Sequence, residues 1–182
     1  MKISSNNYIS KIFIGLVLFV FLTGCPSVKP SGVKSGKNLF ETFYLGEGGT
    51  QYFIKPMIFY NTLNREEIHL DFTFRYKNIV KDSVIVNLSL HSSILFKSIN
   101  SLRFANTTHK ILRKDIRLLF NEKRNKQFNS RFYTKISLIE FNKLFDNEDW
   151  TIIVYTNKTS NTYISEKKVI KKLQEKIFII LQ

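Results

Sequence analysis

His69 and Asp71 stand two residues apart in the run Ile68-His69-Leu70-Asp71-Phe72-Thr73-Phe74-Arg75-Tyr76-Lys77. An imidazole and a carboxylate at that spacing share one side of an extended strand with Cβ atoms about 7 Å apart, near enough to hold a metal ion or relay a proton. A closed metal site needs a third ligand, and neither of the other histidines, His91 and His109, is in phase with the pair. The expectation is that both are ordinary wet-face residues, with a metal or acid–base role as the alternative. Asp146-Asn147-Glu148-Asp149 concentrates oxygen ligands of the kind hard cations take, but it lacks the alternating ligands and central glycine of a calcium loop and reads as a solvated turn ending a helix. Gly46-Glu47-Gly48-Gly49-Thr50 is followed by no Gly-Lys-Ser/Thr and reads as a hairpin turn, not a phosphate loop. G-x-S-x-G and H-E-x-x-H are both absent, so no residue is assigned a catalytic role.

Charge supplies the second chemical feature. The 182 residues carry 28 Lys and Arg against 14 Asp and Glu, a formal charge of +14. Between Lys110 and Lys135, nine basic residues face only Asp115 and Glu122, an excess of +7. Phe120, Phe128, Phe132 and Tyr133 are interleaved with Lys110, Arg113, Lys114, Arg117, Lys123, Arg124, Lys126 and Arg131. If the eight cations converge, they form a surface for anionic lipid, glycan or an acidic envelope protein. Dispersed around the fold, they would serve solubility alone.

The single cysteine excludes an intramolecular disulfide framework, a multi-cysteine zinc site and a C-x-x-C redox pair. It is Cys25, at the end of an apolar run from Ile12 to Leu22 that Lys2 and Lys11 precede. Eleven apolar residues suit the core of an export signal and fall short of the roughly 20 needed to span a bilayer. Leu22-Thr23-Gly24-Cys25 resembles the lipobox of bacterial lipoproteins. The resemblance covers about the first 25 residues. It implies removal of residues 1–24, a diacylglycerol thioether and an N-acyl chain on Cys25, and membrane attachment through that anchor. It also implies a bacterial envelope location, and because Pro26 rather than Asp follows the cysteine, the outer membrane is favoured over the inner. Nucleic acid is then the least favoured anionic partner. Loss of residues 1–24 would take away two lysines and leave a charge of +12. Residues 25–37 supply the lipidated cysteine and a Pro-, Ser- and Gly-rich tether with a reach of about 20 Å.

The remaining residues, 38–182, must position this chemistry, and with 17 Phe and 8 Tyr in the chain they can build a large aromatic core as one domain. Alternation along Ile68–Lys77 and Val84–Leu90 predicts two antiparallel strands joined by the polar segment Asn78–Ser83. Further strands are expected at Leu39–Leu45, Gln51–Tyr60, Leu102–Asn106, Ile116–Phe120, Arg131–Ile136 and Trp150–Thr156, the second pushed toward an edge or a break by Pro56. Ser137 with Glu140 forms a capping-box pattern that predicts a short helix near 138–146. The spacing of Val169, Ile170, Leu173, Ile177, Ile180 and Leu181 predicts an amphipathic helix near 166–180. The fold class is mainly β with α elements: an antiparallel β-sandwich, or a curved sheet with the last helix across it. The function expected is that of a lipid-anchored, non-enzymatic binding or scaffold domain in the cell envelope. The alternatives are a small hydrolase or glycan-modifying enzyme using His69, Asp71 or the acidic turn, and an inhibitor or immunity lipoprotein.

Overall fold

The period of two survives in the folded chain: Ile68, Leu70, Phe72 and Phe74 are buried on one side of a strand whose other side presents His69, Asp71, Thr73 and Arg75. The computed structural model describes residues 39–76, 83–157, 159–165 and 167–181, all within the unit Ser31–Gln182. The expected signal segment, Cys25, the tether, Lys77 and residues 78–82 lie outside the described residues.

Ten strands form one antiparallel sheet: β1 (Phe40–Tyr44), β2 (Thr50–Asn61), β3 (Glu67–Tyr76), β4 (Ser83–Ser92), β5 (Ser101–Ala105), β6 (Lys110–Arg113), β7 (Arg117–Arg124), β8 (Gln127–Ser137), β9 (Thr151–Tyr155) and β10 (Ser160–Ser165). Their order is β6-β5-β9-β10-β2-β3-β4-β8-β7, with β1 paired to β2. The sheet curls into a half-barrel. Of the two arrangements the sequence leaves open, the protein adopts the curved sheet. Hydrogen bonding runs unbroken from β6 to β7 in one layer, and helices rather than a second sheet cover the apolar face. Register shifts between Ile54 and Met57 on β2, and between Leu118 and Phe120 on β7, insert extra residues that bend the strands.

Pro56 does not make β2 an edge. β2 lies between β3 on one side and β1 and β10 on the other; β1 pairs with Thr50–Ile54 and β10 with Phe59–Asn61. The proline falls between those two partners and inside the bulge, where its missing N–H removes no ladder hydrogen bond. β6 and β10 were not expected from sequence. The glycine segment makes the expected reversal as a single 3₁₀ turn between β1 and β2, with Gly46 and Gly49 at φ of 63° and 83°. At both positions a side chain would be strained.

Helix α1 (Leu138–Leu144) starts as the capping box requires: the Glu140 N–H donates to Ser137 Oγ at 3.1 Å, and the Ser137 N–H donates to Glu140 Oε2 at 2.9 Å. α1 spans the seam between the two ends of the curled sheet. At its start, Arg113 of β6 pairs with Glu140 and donates through Nε to the Lys135 carbonyl of β8 at 2.9 Å. At its end, buried Asn106 of the β5–β6 loop donates to the carbonyls of Lys143 and Leu144 at 2.9 and 3.0 Å. Helix α2 (Lys167–Leu181) buries Ile170, Leu173 and Ile177 in the same core and leaves Lys168, Lys171 and Lys172 exposed. An aromatic cluster of Phe59, Phe72, Phe141, Phe145 and Trp150 fills the centre.

Candidate functional site

The basic segment folds into β6, at one end of the strand order, and β7 and β8, at the other, and its cations divide into two groups. Arg113 is the seam clasp already described, with its side chain 23% exposed. Arg131, on the face away from the core, donates to Asp71 Oδ2 at 2.8 Å and to Ser89 Oγ at 2.6 Å. Both are spent on holding strands together. Lys110, Lys114, Arg117, Lys123, Arg124 and Lys126 are exposed, and among the described residues none has a carboxylate at ion-pair distance.

Arg117, Lys123 and Arg124 belong to β7, the outermost strand at its end of the sheet, and all eight of its residues are exposed. The register sets Arg117, Phe120, Glu122 and Arg124 on the outer face opposite Tyr133, Arg131, Asn129 and Gln127. Leu118 and Lys123 take the helix-side face opposite Phe132 and Phe128, with the Lys123 ammonium 5.6 Å from the Phe128 ring. Leu118, Leu119 and Phe120 are 40%, 53% and 44% exposed, three consecutive apolar residues of the edge strand that divide between its two faces and are flanked along β7 by Arg117, Lys123 and Arg124. The β7–β8 hairpin closes through Asn125 and Lys126, both at positive φ (47° and 68°), the backbone of a two-residue primed turn. Asn tolerates that region; Lys126 occupies it at a conformational cost and presents its ammonium at the tip.

His69 and Asp71 do lie on the wet face, but they are held apart by separate partners. His69 Nε2 meets Glu67 Oε1 at 3.0 Å, while Asp71 accepts from Asn87 Nδ2 at 2.8 Å and from Arg131. His91, on the neighbouring β4, brings its ring centroid within 4.4 Å of that of His69 with the planes tilted by 43°, a neighbour that sequence phase alone does not reveal. Among the described residues, no group of three or more His, Cys, Asp or Glu side chains is arranged to hold a metal ion. The acidic turn is likewise occupied internally: Asp146 meets His109 at 3.2 Å, Asn147 donates to Thr108 at 2.8 Å, and Asp149 accepts from Thr107. The turn follows the end of α1 with Asp146 exposed, and these contacts tie it to the β5–β6 loop.

Burial and the adjacent His69 push the His91 imidazole below its ordinary value, against the opposing pull of Glu67 and Glu122. The unfolded chain therefore takes up a proton near pH 6.5 that the folded chain resists. Stability should fall as pH drops through that region, and His91→Gln should flatten the slope. Urea midpoints at pH 7.5 and 5.5 check this; an unchanged slope in the variant would contradict it.

Sequence reasoning passed over Glu66. It is only 6% exposed and lines an open depression of about 550 Å³ bounded by the β2–β3 turn, the β4–β5 connection and the β9–β10 turn. Oε1 accepts from Ser92 Oγ at 2.7 Å; Oε2 accepts from Tyr163 OH at 2.7 Å and from Asn161 Nδ2 at 3.2 Å. Burial, the hydrogen bond to Glu66 and the Glu66 charge hold the Tyr163 phenol far above its ordinary value. A signal was present: counting back by twos from Leu70 and Ile68 puts Glu66 on the core face, where a carboxylate needs partners.

The chain matches no family model, no curated protein and no solved structure.

Proposed function

We propose that the chain is a lipid-anchored lipoprotein of the bacterial envelope, favouring the outer membrane, whose β-domain is a non-enzymatic binding module for an anionic membrane surface. The anchor rests on the Leu22-Thr23-Gly24-Cys25 box at the end of an apolar run. The binding role rests on β7. Solubility alone accounts for Arg117, Lys123 and Arg124, but not for Leu118, Leu119 and Phe120 exposed among them. Cations that attract lipid phosphates, on the same exposed edge strand as apolar side chains able to enter the headgroup boundary, are the combination an interfacial contact uses. A tether reaching about 20 Å keeps this edge close to the bilayer, so that weak contacts are populated. The same charges oppose self-pairing of the edge, because antiparallel β7 strands centred on each other would set Arg117 against Arg124.

The test uses residues 26–182, without the anchor, and vesicles rich in phosphatidylglycerol. Binding at 0.01 M salt should weaken at least tenfold at 0.15 M, as the screening length shrinks from about 30 to about 8 Å. Reversing Arg117, Lys123 and Arg124 to Glu should abolish it while the fluorescence of Trp150, the single and buried tryptophan, stays native. Arg113 is excluded from the reversal because its loss would open the seam. Equal affinity of the wild type for neutral and anionic vesicles would remove this reading.

A further inference from the structure

We infer that the Glu66 depression is a second binding site, independent of the basic edge, and that it takes a neutral polyhydroxylated ligand, a carbohydrate. A carboxylate has about four acceptor positions, and Ser92, Asn161 and Tyr163 fill three of those on Glu66. All three donors are neutral, and among the described residues no lysine or arginine forms an ion pair with it. A buried carboxylate held this way has room for one more donor, and it lines a depression of a size usual for small-molecule sites.

The walls decide the ligand's charge. A cationic ligand would meet Lys97 on the lining and a chain of net charge +14, while an anionic one would meet the Glu66 carboxylate. Four asparagines line the rest, Asn64, Asn100 and Asn157 from three different connections and Asn161 from β10, and an amide side chain carries both donor and acceptor capacity, part of which stays unused here. Asn100 and Asn157 are already joined at 2.6 Å, and Asn64 Oδ1 accepts from the Glu66 N–H at 3.0 Å, so the amides are fixed in orientation before any ligand arrives. Groups that both give and accept match hydroxyls, which do the same. Ile94, 63% exposed at the rim, offers an apolar surface for the C–H face of a sugar ring. Glu66 accepts a hydrogen bond from a ligand hydroxyl at its open position, the asparagines bracket the neighbouring hydroxyls, and the loops set which sugar fits.

The experiment titrates the full chain in detergent with chitotetraose, maltotetraose and, as a cationic comparator, spermidine, by calorimetry. Saturable binding of one of the two oligosaccharides is expected, at least tenfold weaker in Glu66→Gln and in Asn100→Ala, and spermidine should not bind. Asn100 is exposed, and its side-chain hydrogen bond goes to Asn157 rather than to Glu66, Ser92, Asn161 or Tyr163, so its variant keeps the test decisive if Glu66→Gln fails to fold. Binding of spermidine alone, binding of neither saccharide, or saccharide binding unchanged in Asn100→Ala would overturn the assignment. Vesicle binding through β7 reads out separately, so either site can fail without the other.

Discussion

Phe72→Ala should destabilise the domain by about 3 to 5 kcal/mol, whereas Arg75→Ala, on the opposite face of the same strand, should stay within about 0.5 kcal/mol. Phe72 is fully buried, and its ring lies 5.0 Å from that of Phe141, 6.4 Å from Phe145 and 6.1 Å from Trp150, so it joins β3 to α1 and to the start of β9. Removing it forfeits the transfer energy of an aromatic ring and leaves a cavity that three rigid aromatic neighbours cannot collapse into. Arg75 is exposed, with only a 3.4 Å hydrogen bond to Gln51. Urea unfolding followed by Trp150 fluorescence measures both variants. Equal losses would mean that the two faces of β3, and with them the placement of the polar network of Asp71 and Arg131, are wrongly assigned.

The contrast between those two residues was legible in the sequence because β3 carries its signal locally: alternation over ten residues with one face apolar. α1 was legible for the same reason, since Ser137 and Glu140 are a cap that two side chains make with each other's backbone. What the sequence hid depends on neighbours far along the chain. β6 has four residues, and β10 buries only Tyr163, with adjacent Ile164 exposed and the rest polar, so neither shows a periodicity; each is a strand because β5, β9 or β2 pairs with it. Leu118-Leu119-Phe120 reads as a strand, and it is one, but its exposure follows from standing last in the sheet order, which no local pattern encodes. Arg113 looked like one of eight similar cations. It became a structural residue because the curl brings β6 within reach of Lys135, 22 residues away in sequence. Glu66 shows the converse: its phase with Ile68 marked it as inward-facing, but Ser92, Asn161 and Tyr163 come from other strands, and their convergence required the fold.

The anchoring of the domain is the claim on which its role near a membrane depends, and its expected effect is all-or-none. Two or three acyl chains hold a protein to a bilayer in a way that one chain alone does not, since each buried CH₂ contributes about 0.8 kcal/mol. Cys25→Ala should therefore abolish incorporation of a fatty-acid analogue and release the protein from the membrane fraction. The most direct measurement is mass spectrometry of the N-terminal peptide of the protein isolated from bacterial membranes. The account predicts a chain that starts at Cys25, with a diacylglyceryl thioether on sulfur and an acyl group on the amine. A peptide that still contains Leu22-Thr23-Gly24-Cys25 with an unmodified thiol would contradict it.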